Sequence, residues 1–264
     1  MNGATTVTAQ SGDSIIFSGG GATTFTTSND AITFGTGTVQ LSDAADLTIT
    51  SANGAVSVAS VGGTTSEDIT INAGTGTLAV GAIGNADEIN TVTLTGSTIT
   101  LSGDITTSNA ANNNVDINGA VVISGAVDID TDTAGGTIDL TAGVMGTSSE
   151  NITLTAGTGT VAIGDIGTGT EIADVSITTT NNTTISGDFT GGSLTNSGPV
   201  IISDNVSLST TGVVDFGSTV DSSNGNQSIT FVTAGDITIT GVVGGSNPFS
   251  SFTITEADKF TYSG

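Results

Sequence analysis

Asp128, Asp130 and Asp132, in the stretch "DIDTDT", are the side chains whose type and spacing come nearest to doing chemistry. On a strand alternate residues share a face, so the three carboxylates would stand in a row about 7 Å apart at nearest neighbours. Hard oxygen ligands at every second position suit Ca²⁺, as at the D-x-D-x-D start of a calcium loop. The stretch lacks the Gly at the sixth place and the closing Glu at the twelfth. Carboxylates at this separation also suit glycoside hydrolysis, one serving as acid and the other as base or nucleophile. No aromatic or basic sugar platform lies nearby in the chain, and a solvated carboxylate row is the plainer alternative. Asp87 and Glu88 in "NADEIN" match Glu171 and Asp174 in "TEIADV" as turn positions. They could clip a corner through Ca²⁺, and the turn preference of Asp accounts for them equally well.

Thr supplies a second candidate surface. Thr48, Thr70, Thr93, Thr153 and Thr230 are the middle residues of apolar–Thr–apolar runs, with Thr50, Asn72 and Thr95 flanking the first three. Stacked in register they would form a flat outward array, the kind of surface that contacts ice or a glycan. Thr is also a favoured outward strand residue anywhere.

The remaining repertoire is narrow. There is no His and no Cys, so the commonest base and the best nucleophile are missing, and Lys259 is the only basic residue. The 25 acidic residues leave a net charge of −24. Without cationic clamps, nucleic acid is not an expected partner, nor is an anionic membrane, while divalent cations are attracted. No apolar run reaches the roughly 18 residues needed to insert into a bilayer. The expectation is a protein without catalysis and without a cofactor, Ca²⁺ being the one candidate ion.

The elements that would position these residues follow from periodicity. Only 4% of residues are aromatic and 39 are Gly, a composition that would suit a disordered chain. Strict alternation of Ile, Val and Leu with Thr and Ser argues instead for many half-buried strands. Apolar–x–apolar runs begin at Leu47, Ile69, Val92, Val127, Ile152, Val175, Val206, Ile229 and Phe252. Most steps are close to 23 residues. Two longer ones contain "NNNVDINGAVVIS" and "SLTNSGPVIIS" and read as units with an insertion. Three units make a super-repeat, visible in "EDITINAGTGTLAVGAIG" (Glu67–Gly84) and "ENITLTAGTGTVAIGDIG" (Glu150–Gly167), 83 residues apart.

A unit this small buries its apolar positions only by stacking on its neighbours. The pattern therefore predicts an all-β fold: a single-stranded parallel β-helix, or β-solenoid, with coils of about 23 residues in three-coil super-repeats. One continuous solenoid is expected over 1–264, less regular in 1–43 and clear in 44–264. Ile69, Val92, Ile152, Val175 and Ile229 should align in one inward column, with Ile71, Leu94, Leu154, Ile177 and Phe231 in the next. Val80, Leu101, Val161, Ile163 and Ile239 should face inward from the second strand. The rival is a string of immunoglobulin-like sandwiches, against which the 23-residue subdivision and the lack of Trp both count.

Lines such as "DLTITSANGAVSVASVGG", "GDITITGVVGG" and "AGGTIDLTAG" resemble the repetitive passenger regions of large secreted bacterial adhesins, the filamentous-haemagglutinin-like and autotransporter-adhesin group. The resemblance covers most of 44–264 and, more loosely, 1–43. It implies a right-handed β-helix, export to the cell surface or beyond, and a role as shaft or adhesive surface. The partners it implies are a host or neighbouring cell surface, a glycan, or the chain itself, end to end or side by side. The stretch contains no secretion domain, no carboxyl-terminal barrel and no GGxGxDxUx nonapeptide. We read it as a piece of a longer protein.

Overall fold

The computed structural model describes residues 3–10, 12–64, 66–84 and 87–264. Among them every regular element is a strand and every pairing between strands is parallel. The fold is a β-solenoid, as the periodicity predicts. Each coil has three sides, here called walls 1, 2 and 3 in the order in which the chain meets them.

Three inward columns define the walls. On wall 1 the column climbs from Thr5 through Ile32, Val56, Leu78, Ile99, Val121, Val144, Ile166, Phe189, Leu208 and Phe231 to Ile254. On wall 2 it runs from Ile15 through Val39, Val61, Ile83, Ile105, Ile129, Leu154, Ile177, Asn196, Phe216 and Ile239 to Tyr262. On wall 3 it runs from Thr23 through Leu47, Ile69, Val92, Val115, Ile138, Val161, Thr183, Val200 and Val220 to Val243. Eleven or twelve rungs on a wall, about 4.8 Å apart, make a rod roughly 50 Å long.

Alternation explains why the columns form. With a side-chain period of two, a strand such as Leu47–Ser51 turns Leu47 and Ile49 inward and leaves Thr48 and Thr50 outside. Leu47, Ile69 and Val92 have no exposed surface, and each buried side chain of this size is worth about 1.5–3 kcal/mol relative to exposure. Backbone amides donate from coil to coil along a wall: Val92 to Asn114, Val115 to Thr137 and Ile138 to Thr160, all at 2.9 Å.

Corners need Gly where the chain turns sharply against the next coil. Gly84 and Gly167 close the two copies of the repeated line with φ of 73° and 74°. A Cβ there would lie 1.9 Å from the Thr106 carbonyl oxygen and 1.8 Å from that of Thr190. Both requirements, positive φ and close backbone, exclude any other residue.

The column assignment differs from the expectation. Ile69 and Val92 are on wall 3, Ile152 and Val175 on wall 2, and Ile229 on wall 1. Ile71 and Leu94 separate in the same way from Leu154 and Ile177, and from Phe231. Val80 and Leu101 belong to wall 1, Val161 and Ile163 to wall 3, and Ile239 to wall 2. All of them point inward, as alternation requires. The reason is a count of sides. From Ile69 to Ile152, and again from Ile152 to Ile229, the chain advances eleven walls, three whole coils and two walls more. Eleven is not a multiple of three, so each copy of the line is turned by one wall relative to the last. The two supposed insertions are ordinary coil: Val115 sits on Val92, and Val200 on Thr183.

Aromatic rings are confined to the ends of the rod. Phe17, Phe25 and Phe34 pack edge to face near one end, with centroids 5.2–6.4 Å apart. Phe216, Phe231, Phe249 and Phe252 form a second cluster toward the other. From Gly35 to Asp188 there is no aromatic residue, and the inward columns there are aliphatic apart from small residues and Thr183.

Candidate functional site

Asp128 and Asp130 lie on the outer face of wall 2, on the strand Val127–Asp130. Asp132 does not continue the row. It sits at the next corner with φ 58°, and its amide donates to Asp130 Oδ1 at 2.7 Å. The Asp128 amide donates to Asp104 Oδ1, one coil below, at 2.9 Å. Partial burial raises the Asp128 pKa above the usual carboxylate value, and the neighbouring Asp130 and Asp104 charges raise it further. Among the described residues no three His, Cys, Asp or Glu side chains come together closely enough to hold a metal ion. The DIDTDT carboxylates thus do not converge as a ligand set, because the third leaves the strand and the second is engaged by the corner it precedes.

The Thr residues divide among the walls. Thr48, Thr70 and Thr93 stack directly on wall 3, above Thr24. Beside them Thr26, Thr50, Asn72 and Thr95 form a second outward column. The first column then continues into Asp116 and Asp139, which ends the uncharged array. Thr153 is on wall 2, between Asp128 and Ser176. Thr230 is on wall 1, between Ser207 and Thr253. The same eleven-wall step that separates Ile69 from Ile152 separates these Thr side chains. The paired turns also fall in different places: Asp87 and Glu88 lie between walls 2 and 3, Glu171 at the corner between walls 1 and 2, and Asp174 on the wall 2 strand Ile172–Thr179.

Many of the acids have a structural task that composition alone did not indicate. At the start of successive strands an Asp or Asn side chain accepts the backbone amide of a residue one coil above. Asp46 accepts from Asp68, Asp68 from Thr91, Asp165 from Asp188 and Asp188 from Ser207, at 2.8–3.1 Å. Asn114, Asn151 and Asn205 do the same for Thr137, Asp174 and Ser228. Each of these amides thereby gains a partner at the start of a wall, where an unpaired amide would be costly.

Among the described residues Glu67, Glu150 and Asp221 are buried, and the first two open the repeated line. Glu67 has no exposed surface. It accepts the Thr64 amide at 2.6 Å, the Thr64 hydroxyl, the Ser66 amide at 3.2 Å and, from the coil below, the Ala44 amide at 3.1 Å. Burial alone would raise its pKa; the four donors, the Thr64 hydroxyl foremost, outweigh burial and hold it below the usual value. Glu150 accepts the Thr147 and Ser148 amides at 2.8 and 2.9 Å and both their hydroxyls. The Ser148 amide and then the Thr147 hydroxyl bring its pKa down to about 2, against the opposing effect of burial. In the next copy Gln227 takes the place, its Oε1 accepting the Ser222 hydroxyl and the Asn224 amide. The sequence reading passed over these residues. The signal was present as Thr-x-x-Glu in "TTSE" and "TSSE", the spacing at which a side chain folds back on its own turn.

On wall 2, outward Ser176, Thr178, Thr195, Ser197 and Asp215 line a shallow groove with Gly217 at its edge. It lies where coils shorten, Thr183 to Val200 being one turn of the chain. Beneath it the Thr183 hydroxyl donates to Asn196 Oδ1 at 2.6 Å, and Asn196 Nδ2 donates to the Gly198 carbonyl at 2.6 Å. This buried pair is hydrogen-bonded within the core, and Asn196 also forms part of the groove's lining. No family model, no curated protein and no solved structure matches the chain.

Proposed function

We propose that the chain is a shaft segment of a large exported cell-surface or extracellular protein, a rigid and adhesive-compatible spacer rather than a catalyst. The observation that carries this reading is the continuity of the inward columns, each running from the first coils to the last without a break. Length is added by adding walls, and every added strand is bonded to the one below. A single Lys among 264 residues leaves almost nothing for trypsin-like proteases, which suits a surface outside the cell. The likeness of its lines to adhesin passenger regions points the same way.

The test is mechanical. Placed between a membrane anchor and a reporter binding module on a cell, the chain should hold the module roughly 50 Å farther out than a direct fusion. Energy transfer from a membrane dye reads that distance. A collapsed distance, or turnover of a polysaccharide by the chain alone, overturns the reading.

The eight-residue Thr and Asn block on wall 3 favours a second reading, a ligand-binding solenoid that contacts ice or a glycan through hydroxyl and methyl groups at strand spacing. Thermal hysteresis and glycan-array binding test it directly, with Thr70→Lys expected to abolish either signal.

A further inference from the structure

Acidic side chains are not spread evenly over the three walls. The outward positions of wall 2 carry Asp128, Asp130, Asp174 and Asp215, and those of wall 3 carry Asp116 and Asp139. Wall 1 differs. From Thr6 through Thr33, Ser57, Ala79, Thr100 and Val122 to Met145 its outward column has no charge over seven coils. Thr77, Thr98 and Ala120 stand beside it and are uncharged as well. For a chain of net charge −24, this is where a second chain of the same kind can approach without setting carboxylates against carboxylates.

Size along the column gives the approach a direction. Ser57, Ala79, Thr100, Val122 and Met145 follow one another up the rod, small at one end and large at the other. Turning a second copy about an axis that lies between the two faces, along the strands, reverses this order. Met145 then meets Ser57, Val122 meets Ala79, and Thr100 meets Thr100. On either side of the Thr100 pair large side chains face small ones, the interdigitation that sheets packed about 10 Å apart require. The contact uses one patch twice, so it closes as a dimer and does not propagate. A parallel arrangement would set Met145 on Met145 and Ser57 on Ser57, overfilled at one end and hollow at the other.

We infer that wall 1 is an interaction surface for a second copy of this chain, which forms an antiparallel side-by-side dimer centred on Thr100. The groove on wall 2 is lined in part by Asp215, which would set a carboxylate against its copy in a self-contact. Because two chains of net charge −24 repel one another as a whole, association should strengthen as salt is added, the reverse of an interface held by ion pairs.

The chain has no Cys, so a single introduced thiol reports one position. Sedimentation equilibrium of the intact chain should show a monomer–dimer equilibrium that shifts toward dimer at high salt. Val122→Glu should leave the circular dichroism spectrum and melting unchanged while weakening dimerisation at least tenfold. Treated with a short bis-maleimide, Thr100→Cys should cross-link as a dimer, and Thr238→Cys, outward on wall 2, should not. A chain that sediments as a monomer at every concentration and salt overturns the inference. So does cross-linking through Thr238→Cys as fast as through Thr100→Cys, which would place any self-association elsewhere.

Discussion

Ile69 and Ile152 occupy the same letter of a repeated line and stand on different walls of the solenoid, Ile69 on Leu47 and Ile152 on Val127. The three walls are therefore interchangeable as hosts for that line. Deleting Asp68–Glu150, which joins Glu67 to Asn151, removes 83 residues and eleven walls. Ile152 should then settle onto Leu47 in the place of Ile69, and the upper rod should turn by one wall. The shortened chain should melt cooperatively and be shorter by roughly 18 Å in small-angle scattering. An unfolded product would show that the walls are not equivalent.

The buried carboxylates make stability depend on acid. Glu67 and Glu150 have folded pKa values below their ordinary ones, so their contribution is fully present above about pH 4.5. It is lost as pH falls through the folded values, toward about 2 for Glu150. Glu67→Gln should cost about 1–3 kcal/mol at neutral pH, since one oxygen acceptor is replaced by an amide among four donors. Glu67→Gln and Glu150→Gln together should flatten the fall in Tm between neutral pH and pH 3. An unchanged slope would locate the acid sensitivity in other carboxylates.

Asp128 behaves oppositely. Its pKa is raised by burial and by Asp130 and Asp104, so its ionised form opposes folding, and stability declines as pH rises through its titration. Asp128→Asn should raise stability at neutral pH by a few tenths of a kcal/mol, an effect that shrinks in high salt because the group is exposed. The Asp104 bond survives, since the donor is the Asp128 backbone amide. Denaturant melts of both proteins at two salt concentrations decide the sign.

Gly167→Ala and Asp165→Ala separate the fixed inside of the repeated line from its free outside. Gly167 has positive φ and a carbonyl 1.8 Å from any Cβ, so its substitution should cost more than about 1 kcal/mol. Asp165 is exposed and corresponds to Ala82 in the other copy, so Asp165→Ala should cost less, limited to the amide it accepts from Asp188. Equal losses would contradict the assignment.

Thr183 and Asn196 should be coupled. Thr183→Val alone strips a donor from the buried Asn196 oxygen, a loss of about 1–3 kcal/mol. Adding Asn196→Leu removes the stranded acceptor and should recover part of that loss. Additive effects in the double-mutant cycle would mean that the pair does not act as one unit.

Inward and outward positions were legible in the sequence because side-chain alternation is a local property, settled within one strand such as Leu47–Ser51. The coil length was legible for the same reason, since Leu47, Ile69 and Val92 lie one turn apart on one wall. Which wall a strand joins is a sum over all preceding corners, and neither Ile152 nor Thr153 carries any mark of it. Their resemblance to Ile69 and Thr70 suggested a shared column that the accumulated turns do not permit. The burial of Glu67 and Glu150 was obscured differently. Glu reads as a surface residue by type, and only the donors at Thr64, Ser66, Thr147 and Ser148, folded around it, make burial tolerable.

The confinement of aromatic rings to the two ends has an optical consequence. Tyr262 is the only tyrosine and there is no Trp, so fluorescence excited at the long-wavelength side, where Phe does not absorb, comes from Tyr262 alone. The aliphatic stretch from Gly35 to Asp188 is dark. A fluorescence melt would follow fraying at one tip, whereas far-ultraviolet dichroism would follow the whole rod, and the gap between the two curves would measure how far the end loosens before the middle gives way.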